Sequence, residues 1–539
     1  MKQKILFLPM LIFAAYGSGF SQPTIKSQRV AGGTSSDNLT STYLTKDGGF
    51  IAGGYSSSGI SGTKTEANEG GDDYWIVKYD HLGNIQWDKT LGGSGTDYLE
   101  SLEQTSDGGY ILGGESSSNK SGQKSENSRG DQDYWIVKLN KNGKVQWDKT
   151  IGGSSTEWLR QVSQTTDGGY ILGGYSYSDI SGEKTSNSRG AGDYWIVKLD
   201  GSGNIQWDKT MGGNANEFLQ ATLQTKDGGY MVGGYSYSSM SGEKTSNNYG
   251  NTVTDYWILK LDTAGNIQWD KTIGGNGYDF LQDIKQTSDN GYILAGWSDS
   301  DNFGNKSEGS RGGDDYWVVK TDAQGNEQWD KTIGGNAQDV LTHIEITKDS
   351  GYICGGYSFS GIAGEKSEVN RGARDYWVVK LNKSGIVQFD KTVGGKGDDY
   401  LYSVKEAETN KYLLAGYSAS PISGDKKQNS IGGTDFWLVG LVNKTAPFNN
   451  AIALNNVEVK QLNNATLKSF LIYPNPAKDI LHIQTTGKAT VTLTDQQGKT
   501  ILTKTINGNG EINVSHLPAG LYYLKNGETG VVQKVVLTK

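Results

Sequence analysis

The sequence predicts an all-β chain: a seven-bladed β-propeller of four-stranded blades, its last blade closed by an N-terminal strand, followed by a small C-terminal β-sandwich. Three observations carry that prediction. A sixty-residue phrase recurs along most of the chain, each copy divides into four strand-like runs, and the run missing from the end of the array stands at its beginning. The Asp of a D-Y/F-W signature falls at Asp73, Asp133, Asp193, Asp255, Asp315, Asp375 and Asp435, in steps of 60 residues except one of 62, where Asn251–Thr254 lengthen a loop. The Trp of QWDKT falls at Trp87, Trp147, Trp207, Trp269 and Trp329, with Phe389 in the sixth copy, and no seventh follows Trp437.

In chain order, the first element is a secretory signal peptide over residues 1–21. Lys2 and Lys4 precede an apolar run from Ile5 to Tyr16, and Gly19 and Ser21 stand ahead of Gln22. That run is too short to span a membrane, and no other apolar run reaches spanning length. No cysteine at the cleavage point invites lipid attachment.

The second element supplies the missing strand. TIKSQRVAGGTSSDNL aligns with NIQWDKTLGGSGTDYL at an offset of 60, placing Ile25 on Ile85, Gly32 and Gly33 on Gly92 and Gly93, Asp37 on Asp97 and Leu39 on Leu99. A solenoid or a string of separate domains would share the period but would not displace one strand to the far terminus. Ring closure does, and it removes the open sheet edge.

The blades occupy residues 22–443. The repeat from Glu217 to Gly275 reads EFLQATLQT, GGYMVGGYS, DYWILKLD and GNIQWDKTIGG, with Asp-Gly-Gly joining the first pair and Gly-Asn the last, turns that need positive φ. Runs such as Tyr194-Trp195-Ile196-Val197 are apolar on both faces, as strands stacked between neighbouring blades require. Residues 444–468 are Asn-rich and weakly periodic, a linker. Alternating segments resume over 469–539, short enough to make the sandwich.

Composition narrows the function. Seventy-seven glycines and 10% aromatics suit many tight-turned strands, and a net charge of −8 with evenly spread lysines argues against a nucleic-acid partner. The single cysteine, Cys354, rules out intramolecular disulfides and takes a position held by Leu112, Leu172 and Leu294 in sister repeats, so it reads as a buried small hydrophobe.

The run from Asp193 to Ser236 resembles the SBBP-type β-propeller repeats of bacterial secreted proteins, and the resemblance covers roughly residues 24–443. It implies the fold and carries over no activity. Tyr473-Pro474-Asn475-Pro476 followed by Asp479, LPAGLYYL at Leu517–Leu524, and a last strand bearing Lys534 and Lys539 resemble the type A C-terminal sorting domain of the type IX secretion system. That resemblance implies Pro474, Asn475, Pro476, Gly520, Lys534 and Lys539 as the sorting signal and the type IX machinery as a partner. It also implies passage through the periplasm and outer membrane of a Bacteroidota-type cell, to the surface or beyond.

Repeated residues read as architecture. Asp107, Asp167 and Asp227 precede Gly-Gly, where a carboxylate accepts turn amides, and the Asp97, Glu157, Glu217, Asp279, Asp339 and Asp399 set also recurs once per blade. A catalytic acid–base pair is asymmetric, which these are not. Lys64 and its six counterparts up to Lys426 lie in long polar loops, either as a ring of cations or as pins for the loops.

Residues where one repeat departs from its siblings are the candidate ligand contacts. Tyr177, Tyr237 and Phe359 replace Ser57, Ser117 and Ala419, and the fifth repeat alone has WSDSDNFGN with Trp297. Aromatics at strand ends stack on sugar rings or anchor loops. Asp299, Asp301 and Gly304 occupy positions one, three and six of a calcium loop, the only candidate cofactor, but Phe303 and Ser310 break the pattern at five and twelve. The histidines His81, His343, His482 and His516 show no ligand spacing, and no catalytic residues are assigned.

The sequence thus points to an exported, non-catalytic propeller that binds a glycan, matrix polymer or surface protein. The alternatives are a secreted glycoside hydrolase or lyase acting at the channel mouth, which asymmetric acidic, His or Tyr residues clustered there would support and the near-identity of the blades speaks against, and a structural surface or gliding-associated protein.

Overall fold

A computed structural model describes residues 22–250, 253–443, 470–473, 477–495, 499–528 and 532–538. The expected signal peptide and linker, Pro474, Asn475, Pro476 and Lys539 lie outside the described residues. The chain forms two compact units, Met1–Asn456 and Val457–Lys539.

The first unit holds seven four-stranded antiparallel sheets. Blade three shows the plan: Glu157–Gln164 innermost, then Tyr170–Ser176, Asp193–Leu199 and Ile205–Met211 outermost. Its hairpins turn at Gly168 and Gly203, both at φ 82°, where a side chain would be strained. Blades five to seven put Asn290, Ser350 and Asn410 at that first-hairpin position with φ of 66°, 63° and 61°.

The third strands are buried on both faces. One core between blades two and three joins Ile111, Tyr134 and Ile136 to Leu159, Leu172 and Trp195. Burial of each such side chain contributes about 1.5–3 kcal/mol. Tyr134 also reaches across, its hydroxyl donating to the Trp195 carbonyl at 3.0 Å, and Tyr194 repeats the bond to Trp257 at 3.0 Å.

The chain closes as its displaced repeat predicts. Thr24–Ala31 pairs antiparallel with Asp435–Val442, setting Thr24 opposite Val442 and Ala31 opposite Phe436, so blade seven contains both ends of the array. The seam is chemically distinct. Trp75, Trp135 and Trp195 donate their indole N–H groups to Asp88, Asp148 and Asp208, but Gln28 stands at that outer-strand position in blade seven and the Trp437 Nε1 has no partner.

The repeated polar residues are structural. Asp97 accepts the Gly93 amide at 2.8 Å and the Ser118 hydroxyl at 2.9 Å, and Glu157 does the same for Gly153 and Ser178 at 2.7 and 2.6 Å. Asp107 accepts the Gly109 amide at 2.9 Å and pairs with Lys138 at 3.0 Å. The loop lysines form no solvent-facing ring of cations: Lys64, Lys124, Lys184, Lys244, Lys306, Lys366 and Lys426 are all buried. Lys64 bonds Thr90 and lies 5.7 Å from the Trp75 ring, pinning its loop to the outer strand.

The second unit is one antiparallel sheet of five strands: Phe470–Tyr473, Ile480–Thr494, Thr500–Asn513, Gly520–Asn526 and Val532–Leu537. The long strand Ile480–Thr494 pairs with Phe470–Tyr473 over its first half and with Gly520–Asn526 over its second, with a register break between Gln484 and Lys488. Leu481 and Ile483 from one half share a core with Val491, Leu493, Tyr522 and Val535. The sandwich expected from the sequence is therefore built from one sheet that changes partners along a strand.

Candidate ligand site at the channel mouth

The seven innermost strands surround a central channel, and a β-bulge in each decides what faces it. Register shifts between the third and fifth residues of every inner strand, as between Leu159 and Gln161, leaving the fourth residue outside the ladder. A bulge re-aims its side chain. The seven residues so released, Thr40, Glu100, Arg160, Gln220, Gln282, Thr342 and Tyr402, all line one cavity of about 290 Å³. The backbone of this ring is sevenfold; its chemistry is not.

The next side chain along each strand mostly serves the ring itself. Ser41, Ser101 and Gln161 accept the Leu102, Val162 and Thr222 amides of the following blade at 3.3, 3.3 and 2.8 Å, and Asp283 accepts that of Ile344 at 3.1 Å. Ser403 closes the circle on Thr42 at 2.7 Å between their hydroxyl oxygens.

At one mouth the strand ends carry an aromatic girdle. The second-strand tyrosines Tyr55, Tyr175, Tyr235 and Tyr357 each meet an inner-strand ring of the next blade, Tyr98, Phe218, Phe280 and Tyr400, with centroids 4.6, 4.9, 4.7 and 5.0 Å apart. Most of these rings are half-buried, so aromatic faces remain open to the mouth.

Blade two breaks the girdle, since Glu115 stands where six siblings carry Tyr or Trp. Glu115 is 6% exposed, and its Oε2 has no hydrogen-bond partner. Burial, then the Glu100 charge, push its carboxyl well above the usual range and favour the protonated form. Burial also raises Glu100, against the opposing pull of Arg160. In place of the missing ring lies Arg160, its guanidinium 5.6 Å from the Trp158 ring, 5.8 Å from the Tyr175 ring, and 3.4 Å from Glu100 Oε1. A second arginine, Arg374, sits over Phe359 and Tyr400 at 4.6 and 4.9 Å on the rim of blade six, 3.4 Å from Asp398.

Deeper in the channel, Lys405 Nζ lies 3.3 Å from His343 Nε2 and 3.0 Å from Glu345, and Lys285 pairs with Asp283 at 2.7 Å. Burial and the two lysines hold the His343 ring well below its ordinary pKa, hence neutral. Burial raises Glu103 to about 7.

The structure places the candidate aromatics around the girdle. Tyr177 and Tyr237, 38% and 39% exposed, lie edge-on to Tyr175 and Phe218. Trp297 stacks on Phe280 at 4.0 Å, and Phe359 carries Arg374. The Asp299 carboxylate accepts the Tyr278 amide at 2.5 Å, and Asp301 lies beside Asn276, whose Nδ2 is 3.5 Å from its Oδ2. Among the described residues no three acidic, His or Cys side chains gather as a metal site. Gly520 opens its strand and is exposed, and Lys534 pairs in register with Tyr523. Sequence reasoning did not single out Glu100, Glu115 or Arg160. Their signal was available: Glu115 is a charge where every sister repeat is aromatic, and Glu100 and Arg160 are charges at one position that is uncharged in the other five repeats.

Residues 471–538 match the family described as the secretion system C-terminal sorting domain. No curated protein matches the chain. Among solved structures the propeller is similar to BBS1N in complex with ARL6DN, at 9% identity over 79% of this chain and 99% of that one, with a TM-score of 0.40. It is similar to Sqt1 from Chaetomium thermophilum at 11% identity over 78% and 99% of the two chains, TM-score 0.39. A puromycin hydrolase aligns at 9% identity over 84% of this chain and 59% of its own, TM-score 0.40.

Proposed function

We propose that this chain, which carries the C-terminal address of the type IX secretion system and is exported to the cell surface or secreted, is a non-catalytic binding protein whose propeller takes up a surface or matrix glycan at the girdled mouth of the channel. The observation that carries this reading is the girdle: half-open aromatic faces beside polar and charged groups, in a mouth whose seven bulge positions carry five residue types. Sugar rings need such surfaces, apolar faces for their C–H groups and hydrogen-bonding groups for their hydroxyls. Of the seven bulge residues only Thr40 and Thr342 bond the backbone of the following blade, at the Leu99 and Leu401 carbonyls at 2.7 Å, and a purely architectural channel would gain nothing from the charges at Glu100 and Arg160. A glycan and surface-polymer array probed with the chain from Gln22 onward, with and without calcium, tests it. Retention of a defined glycan set is expected, and no retention of any glycan would overturn it.

The asymmetric carboxyls favour a second reading, a glycoside hydrolase or lyase. Glu100 and Glu115 sit in one sector, both raised by burial, with Glu115 pushed further by the Glu100 charge and Glu100 held back by Arg160, an asymmetry that acid–base chemistry uses. Release of new reducing ends from a bound glycan, abolished by Glu115→Gln, would establish that reading in place of the first.

A further inference from the structure

Resting on the glycan-binding reading, we propose that the break in the girdle at blade two is a subsite for a neutral sugar, in which Arg160 and Glu100 clamp a pair of adjacent hydroxyls beside the Trp158 and Tyr98 rings. Three independent features of the sector lead there.

The first is an under-used guanidinium. Arginine has five N–H donors in a planar fork. Arg160 meets Glu100 Oε1 at 3.4 Å and Tyr175 Oη at 3.5 Å, both long, and its Nε has no partner. The Arg160 and Glu100 side chains keep 25% and 21% exposure and line the 290 Å³ cavity, space enough for a sugar ring. A guanidinium and a carboxylate side by side offer two donors and two acceptors, the complement of two neighbouring hydroxyls that each donate and accept.

The second is the balance of charge. With Glu115 favoured in its protonated form, Arg160 and Glu100 cancel, leaving a polar sector without net charge. A uronate would be drawn to Arg160 and repelled by Glu100, and an amino sugar the reverse, so the pair gives a charged sugar no net attraction to offset its loss of hydration. Glu115 is thus a positioning residue: buried behind the pair, it leaves room for the guanidinium over Trp158 without adding a second negative charge.

The third is the flanking surface. Trp158 is half-buried, and its indole N–H is tied to Gln132 Oε1 at 2.6 Å, which fixes the plane of the ring. Tyr98 is half-buried on the adjacent inner strand and is fixed edge-on to Tyr55. Fixed aromatic faces accept a sugar without losing side-chain freedom on binding.

The test uses the chain from Gln22 onward and calorimetric titration with cellobiose, maltose and laminaribiose, against glucuronic acid and glucosamine as charged controls. At least one neutral disaccharide should bind, with affinity at least tenfold above both charged sugars. Arg160→Gln and Glu100→Thr install residues that sister blades carry at the same bulge, so the fold tolerates them; each should weaken binding at least tenfold with an unchanged urea midpoint. Glu115→Gln should keep the preference for neutral sugars, whereas Glu115→Asp, a shorter acid, should lose it. Parent-like affinity in R160Q and E100T, with glycans still bound, would overturn the subsite and leave the binding reading standing. A tighter fit for glucuronic acid or glucosamine would also overturn it. Absence of binding to every sugar would overturn both.

Discussion

Phe436 meets Trp75 across the closing seam with ring centroids 4.7 Å apart, and it is the one residue of its set that cannot donate a hydrogen bond there. Its six counterparts are tyrosines whose hydroxyls donate to the tryptophan carbonyl of the next blade, at 2.9–3.1 Å. The seam therefore lacks the tyrosine bond that the other six blade junctions share, and it is closed by the backbone pairing of Thr24–Ala31 within blade seven and by side-chain bonds such as Thr434 to Asn38 at 2.8 Å.

Restoring that bond should strengthen the ring. Phe436→Tyr is expected to stabilise the protein by about 0.5–1.5 kcal/mol, and Tyr194→Phe to destabilise it by a similar amount. Urea unfolding of both variants checks the pair. A destabilised Phe436→Tyr would show that the seam differs in shape as well as in chemistry.

Stability should pass through a minimum near pH 7–8. Burial pushes Asp73, Asp255 and Asp315 up to about 7, and Asp133, Asp193, Asp279, Asp375 and Asp435 to about 6. Between pH 4 and 7 the folded chain then holds protons that the unfolded chain, with carboxyl pKa values near 3.9, has lost. Stability is gained on acidification through that window and lost as pH rises through it. Burial lowers Lys64, Lys124, Lys244, Lys366 and Lys426 to about 8, so above pH 8 the unfolded chain holds more protons and stability rises with pH, up to about 10. Urea midpoints at pH 5, 7.5 and 9.5 should be high, low and high; a maximum at pH 7.5 would contradict the buried set.

Cys354 is fully buried, and burial raises its thiol far above the ordinary range. It should resist a thiol reagent in the native protein and react only at the rate of unfolding. Fast native labelling would mean that blade six opens locally.

Removal of residues 471–538 should leave the propeller inside the cell envelope, because those residues match the sorting family. Fractionation of cells expressing the truncated chain checks this, with surface delivery as the contrary result.

Much of this molecule was legible from its words. Spacing gave the blade count, and the offset of Ile25 on Ile85 gave the closing strand, because a repeat array shows its own register. The Asp97 and Asp107 sets were readable as turn and cap residues since each recurred with the same glycines. The loop lysines were ambiguous: a lysine in a polar loop looks solvated, and only the structure shows Lys64 folded back onto Thr90. The site was hidden for a different reason. Inner-strand bulges are invisible to a period-two reading, so nothing in the alternation sets Glu100 and Arg160 apart, although a single register shift turns them toward the channel.

Native-state hydrogen exchange over Thr24–Ala31 tests the central claim of a closed ring most directly. Amides there should exchange as slowly as those of Asp193–Leu199, through global unfolding alone. Exchange at the rate of a free terminus, with Asp435–Val442 equally unprotected on its outer side, would contradict it.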